Sequence, residues 1–302
     1  MIHKNALKIP VLILGGGLAG LSARYHLRKG MSLLVEREKG VGGTARSFFL
    51  DGFTFDFTGH LLHLHYPYTK KLITQLLKGK FFRCARNTAI FSKGIYTDYP
   101  YQANTFGLPE ETVNDCMMGF LKQYFRNQSG HKFPRDINFR EWSIRIFGRG
   151  ISEQFMIPYN EKLYQVSAST LTTDWCGSFV PKVNLEDVIK GALESNEKQF
   201  GYNASFLYPK KGGIEVLAKA LCKNQHQVRQ EVSLLKLDWK NRLAYLSNGE
   251  IVKYRRLINT IPLPSFLGKN KIVTPFSSED QRKSEACGCH VYQHWGQKKK
   301  YI

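Results

Sequence analysis

The run LILGGGLAGLSARYHLRKG, residues 12–30, sets a glycine-rich turn between an apolar segment and a helical one. Residues 10–15 read as a fully buried strand. Residues 18–29 read as a helix with Leu18, Leu21, Ala23 and Leu27 on its apolar side, and 32–36 (SLLVE) as a second buried strand. A strand–turn–helix–strand unit of this kind opens a parallel α/β sheet. Gly15-x-Gly17-x-x-Gly20 falls at the turn, in the setting a dinucleotide fingerprint requires. The first glycine permits the tight turn, the second admits a pyrophosphate close to the backbone, and the third lets helix and strand touch. The helix start at Leu18 and Ala19 then offers N–H groups and a positive dipole end to phosphate. Glu36 closes the second strand, 21 residues after Gly15, where a carboxylate accepts hydrogen bonds from ribose hydroxyls.

The next segment, GVGGTARS at 40–47, bears on which dinucleotide. Gly42 and Gly43 add a second close backbone approach, which suits a longer cofactor and favours FAD over NAD. Arg46 adds charge for the diphosphate. Residues 48–58 (FFLDGFTFDFT) alternate about Asp51-Gly52 and predict a hairpin.

From about 67 to 200 helical patterns dominate, at 68–78, 110–127, 138–148, 150–157 and 184–193, separated by aromatic, proline-bearing loops. The α/β character returns with a loop and helix in FLYPKKGGIEVLAKAL, a strand in QVRQEVSLLKLDW and a hairpin through Asn248-Gly249. A buried strand is expected at 256–261. Phe55, Phe57 and Trp142 are expected in the core. The expected fold is α/β: a Rossmann-like FAD-binding domain with a mostly helical insert and part of a mixed-sheet substrate domain. Its boundaries are 8–66 for the FAD-binding start, 67–200 for the insert, 201–265 for the return, and 266–302 for an incomplete strand and basic tail.

With 302 residues, 42% of them hydrophobic and 23% charged, the chain is of globular type. The apolar run near the start flows into the glycine turn and reads as a strand rather than a signal peptide, so a cytoplasmic location is expected. The net charge of +20 fits an anionic partner and leaves peripheral membrane contact open, but the basic residues are dispersed and no nucleic-acid module is present. The cysteines are scattered; Cys287-x-Cys289-His290 lacks a fourth ligand, and His60 alternates away from His63 and His65, so no metal is expected.

The Gly15–Glu36 unit, followed by Gly42-Gly43-x-x-x-Ser47 and GFTFDFTGHLLH, resembles the FAD-binding start of the amine oxidase and protoporphyrinogen oxidase superfamily. Gly40 departs from it, standing where many members carry arginine. Later segments resemble the UDP-galactopyranose mutase-like branch: GIYTDYPYQANTFGLP at 94–109, Pro158-Tyr159-Asn160-Glu161-Lys162 with a downstream Trp175-x-Gly177, and YPKKGG at 208–213. The resemblance implies FAD as cofactor, held by Gly15, Gly17, Leu18, Ala19, Gly20, Glu36, Gly42, Gly43, Thr44, Arg46, Ser47, His60, Leu61 and Val232. It implies His60 beside the flavin as the catalytic candidate. Tyr99, Tyr101, Gln102, Asn104, Tyr159, Asn160 and Lys162 are expected to contact a small-molecule substrate of the nucleotide-sugar kind.

Ser178 and Phe179 stand where the mutase pattern has an acid and an arginine, which counts against mutase chemistry. The residues after about 267 lack the closing flavin segment of the superfamily, so a truncated chain is expected. Three readings stay open: a flavin-dependent oxidoreductase with a role in sugar-nucleotide or cell-surface polysaccharide metabolism, a mutase working on reduced FAD, and a non-catalytic remnant.

Overall fold

The computed structural model describes residues 6–129, 137–177, 180–195, 205–223 and 227–268. Ser178, Phe179, Cys287, Cys289, His290 and the expected basic tail lie outside the described residues. The described residues form two compact units, the first from those of 6–84 and 205–268 and the second from those of 85–195.

In the first unit β1 (Leu7–Leu14) lies between β2 (Ser32–Val35) and β12 (Ile251–Asn259), parallel to both. The short β9 (Val228–Arg229) continues the parallel set beyond β2, while β10 (Leu234–Asp238) and β11 (Leu243–Leu246) add an antiparallel flank to β12. The sheet order is β10-β11-β12-β1-β2-β9. All of β2 is buried, as a parallel strand covered on both faces must be.

Alternation along β1 feeds two cores. Val11 and Ile13 pack with Leu21 of α1 (Leu18–His26) and with Leu217, Ala218 and Leu221 of α7 (Glu215–Leu221). Leu12 and Leu14 face the other way, towards Val35, Leu237, Ala244, Val252 and Tyr254. Each such aliphatic side chain contributes about 1.5 to 3 kcal/mol on burial.

Residues 67–84, expected in the insert, belong with this unit instead. Helix α2 (Pro67–Leu76) places Ile73, with Leu77 after it, in the α1–α7 core, and β5 (Phe81–Ala85) pairs with β8 (Ser205–Pro209). Amphipathic spacing announces a helix but does not say which core receives it. The hairpin of β3 (Ser47–Leu50) and β4 (Phe53–Asp56) forms in the expected register, with Phe48 opposite Phe55. Phe55 and Phe57 are exposed, not core, because this two-stranded sheet stacks its rings on one another rather than on a second layer.

The second unit is mostly helical: α3 (Glu110–Gln128), α4 (Phe139–Ile151), a π-helical turn at Ser152–Met156 running into α5 (Ile157–Tyr164), and α6 (Leu185–Leu193). Phe139 and Phe147 are fully buried, and Trp142 packs against them. A hairpin absent from the sequence reading, β6 (Ala89–Ser92) with β7 (Ile95–Asp98), precedes a 3-10 turn at Tyr101–Ala103. The turn of this hairpin is Lys93-Gly94, both at positive φ, and lacks the Asp-Gly or Asn-Gly pair that marks those at Asp51-Gly52 and Asn248-Gly249. The strand expected at 256–261 begins earlier, at Ile251, and one last helix, α8 (Leu263–Gly268), follows it. Among the described residues no helix is long and apolar enough to cross a membrane.

Candidate functional site

Two glycine turns meet at the carboxyl end of β1. Gly15 adopts φ 100°, a region L side chains avoid, and a Cβ there would come within 2.7 Å of Thr260 Oγ1. At Gly20 a Cβ would stand 2.0 Å from the Gly15 carbonyl oxygen, so α1 approaches its own turn as closely as backbone allows. Gly17 differs: nothing lies within 4 Å of where its Cβ would be. It is the N-cap of α1, with no side chain capping the first turn and no acid in that turn. The positive end of the helix thus has open space at Gly17 and no side chain of its own to satisfy its first turn.

The second turn docks directly on the first. The Gly42 N–H donates to the Gly16 carbonyl at 2.7 Å, and a Cβ on Gly43 would stand 3.2 Å from the Gly17 Cα. Both Gly42 and Gly43 have positive φ, 122° and 60°. Glu36 fastens the arrangement: it is 8% exposed and accepts from the Gly16 N–H at 2.6 Å and the Glu38 N–H at 2.9 Å. A carboxylate has about four lone-pair sites, so two remain for other donors. Val232 sits beside it, its N–H donating to the Glu36 carbonyl at 2.9 Å. Val232 lies in the turn between β9 and β10 rather than within a strand.

Other residues expected at the cofactor divide by what they already bond. Arg46 Nε donates to the Gly43 carbonyl at 3.0 Å, and its guanidinium lies over the Phe57 ring, which keeps its charge at the second turn. Ser47 is engaged structurally: its hydroxyl donates to Asp56 at 2.6 Å and accepts from the Glu215 N–H. Asp56, absent from the expected set, also accepts from the Tyr208 hydroxyl at 2.6 Å and the Ile214 N–H at 3.1 Å. It ties the hairpin to β8 and the start of α7. Burial and the Asp56 carboxylate push the Tyr208 phenol above its ordinary value.

His60 follows this hairpin. Its Nδ1 lies 2.8 Å from the Thr58 hydroxyl and 2.9 Å from the Thr58 carbonyl, so Thr58 holds that edge of the ring. Nε2 lies 3.5 Å from the Thr44 hydroxyl, at the rim of the second glycine turn. Leu61 next to it is exposed, and the chain then bridges to Leu207 through Leu62. His63 and His65 stack on each other at 6.3 Å. Among the described residues no group of three metal-ligating side chains occurs.

In the second unit the expected substrate residues separate into a buried frame and an accessible face. Tyr101 is fully buried, stacked on Phe155 at 4.6 Å, and burial beside Cys116 pushes its phenol above its ordinary value. Gln102 donates to the Pro181 carbonyl and Asn104 to the Pro100 carbonyl, both buried. Asn160 is buried as well, donating to the carbonyl of Met156, the last residue of the π-helical turn, at 2.7 Å. These four amide and phenol groups shape the loop rather than face solvent. Tyr159 is 50% exposed on the far side of Phe155, completing a stack of three rings, and Lys162 is exposed. The Arg86 guanidinium, which no motif marked, lies over the Tyr99 ring at 4.9 Å. Burial raises the Tyr99 phenol above its ordinary value while Arg86 pulls it down and Tyr159 adds to the rise.

The comparisons agree with this geometry. A model of the family described as flavin containing amine oxidoreductase matches residues 18–291. A reduced UDP-galactopyranose mutase superposes with a TM-score of 0.80 and 26% identity, covering 92% of this chain and 60% of its own. A putrescine oxidase redesigned in cofactor binding gives 0.60 at 17% identity, covering 92% and 63%. A protoporphyrinogen oxidase candidate from Exiguobacterium sp. 255-15 gives 0.61 at 19%, covering 86% and 61%. The chain thus spans about three fifths of the length of these solved structures. The empty space at Gly17, the open helix start and the second glycine turn fit a dinucleotide, and the chain belongs to the flavin-containing amine oxidoreductase family, whose cofactor is FAD.

Proposed function

We propose that the first unit binds FAD on the paired glycine turns and serves a flavin-dependent oxidoreduction of a small molecule of the nucleotide-sugar class. The observation that carries the reading is the direct docking of Gly42-Gly43 on Gly16-Gly17, which builds one continuous backbone cradle from two motifs. The flavin, when bound, supplies hydride acceptance that no amino-acid side chain provides.

The residues of the chain do the rest. The N–H groups of Leu18 and Ala19 and the Arg46 guanidinium hold the diphosphate; the free lone pairs of Glu36 and the backbone at Val232 hold the nucleoside end. His60 is held at Nδ1 by Thr58, which turns Nε2 towards the rim of the cradle as the ring nitrogen that exchanges a proton there. Tyr99, Tyr159, Arg86 and Lys162 present hydroxyls and positive charge for phosphate and sugar, on a frame fixed by Tyr101, Gln102, Asn104 and Asn160.

A second reading, UDP-galactopyranose mutase activity, is favoured by one observation: the TM-score of 0.80 to that enzyme against 0.61 and 0.60 to the two oxidase-type structures. Incubation with FAD followed by gel filtration tests the common part. Yellow protein with stoichiometric flavin is expected, and colourless protein contradicts both readings. Bleaching of that flavin by an oxidisable substrate under anaerobic conditions supports oxidoreduction. Interconversion of UDP-galactofuranose and UDP-galactopyranose by dithionite-reduced protein, without net oxidation, assigns the mutase instead.

A further inference from the structure

A cavity of about 360 Å³ opens in the first unit at the end of α1 away from the glycine turns. With nine residues at 1.5 Å each, α1 sets the two places roughly 14 Å apart. Four cations line the cavity, Arg24, Arg28, Lys29 and Lys223, and among the described residues no carboxylate does. Local sequence puts them there. Arg24 lies in the last turn of α1, Arg28 and Lys29 follow its C-cap Leu27, and Lys223 follows the C-cap of α7. Arg28, Lys29 and Lys223 make no ion pair among the described residues.

Cations at helix C-termini have an ordinary explanation, since they offset the helix dipole. Magnitudes decide against that as the whole account. Each C-terminus carries about half a negative charge, so two ends together balance about one of Arg28, Lys29 and Lys223 and leave roughly two. Gathering the remainder in one concavity raises the local potential for an anion. A polar partner is held there too. Gln227 Oε1 accepts from the Gly30 N–H at 3.2 Å, which fixes the amide and leaves Nε2 as a donor without a partner among the described residues. Tyr25, 45% exposed, adds an aromatic wall.

We propose that this cavity binds a compact phosphate-bearing ligand, at a site separate from the glycine cradle and independent of the flavin reading. The phosphate is carried by a soluble phosphate ester or by an anionic lipid headgroup, and the two arms of the test separate these sources. The full chain is titrated with inorganic pyrophosphate, with and without saturating FAD, and cosedimented with vesicles of phosphatidylcholine doped with phosphatidylserine. The variant Arg28→Ala/Lys29→Ala/Lys223→Ala is set against Lys253→Ala/Arg255→Ala/Arg256→Ala, which removes the same charge from exposed positions of β12. Circular dichroism confirms that both variants remain folded.

Saturable pyrophosphate binding that FAD does not displace, weakened about tenfold or more by the cavity variant and unchanged in the β12 variant, assigns a soluble ligand. Vesicle binding lost only in the cavity variant, without pyrophosphate binding, assigns a lipid headgroup. Equal weakening in both variants, displacement by FAD, or no binding to either probe overturns the proposal.

Discussion

The glycine cradle of the first unit and the aromatic loop of the second are both rich in recognisable residues, yet they are specified differently. In the cradle the decisive fact at each position is the room for a Cβ: 2.0 Å to backbone at Gly20, open space at Gly17. In the aromatic loop it is burial. Tyr101 and Tyr159 stand on opposite sides of Phe155, one fully buried and the other half exposed. A residue type therefore announces its role in the first region, whereas in the second tertiary packing assigns it.

The largest effect should come from breaking the close approach. Gly20→Ala forces a methyl onto the Gly15 carbonyl and should cost more than about 3 kcal/mol in urea unfolding of the flavin-free protein. Gly17→Ala, three residues away, should cost no more than about 1 kcal/mol, the ordinary range for a changed N-cap. Similar losses at both positions would erase the distinction between packing glycine and ligand glycine.

Asp56→Ala comes next. It strands the Tyr208 and Ser47 hydroxyls and the Ile214 N–H, and should cost about 2 to 3 kcal/mol. In Asp56→Asn the Tyr208 phenol should titrate lower than in the parent, read by ultraviolet difference absorbance, because the carboxylate that raises it is gone.

The aromatic region should respond less, and unequally. Asn160→Ala removes a buried hydrogen bond and should cost about 1 to 2 kcal/mol, while Tyr159→Phe should stay within about 0.5 kcal/mol and act on substrate binding alone. Equal stability losses would show that the accessible face is also frame.

The smallest effect is in alkali. Burial pushes the Cys116 thiol up to about 12, above its value in the unfolded chain, so the unfolded state releases that proton first. The contribution is intact below the ordinary thiol range and is lost as pH rises towards 12. Cys116→Ala should lower stability at neutral pH but flatten this alkaline fall.

The parts legible in the sequence were those with period or backbone constraint: β1 and β2 as unbroken apolar runs, the Gly15–Gly20 turn, the hairpin through Asp51-Gly52, and α3 and α4 by helical spacing. Less was legible where partners lie far apart in the chain. Asp56 meets Tyr208 and Ile214 across more than 150 residues, and no local pattern encodes that. Arg86 over Tyr99 depends on a hairpin whose Lys93-Gly94 turn carries no Asn-Gly or Asp-Gly signal. Helix α2 was visible as a helix, but its docking with α7 was not.

Titration of flavin fluorescence with the parent chain and Gly17→Ala tests the central claim most directly, that the two glycine turns form one FAD cradle. Saturable binding by the parent is expected, with at least about tenfold weaker binding by Gly17→Ala at nearly unchanged stability, because the methyl enters the space left for the diphosphate. Equal affinity in the two proteins would contradict it.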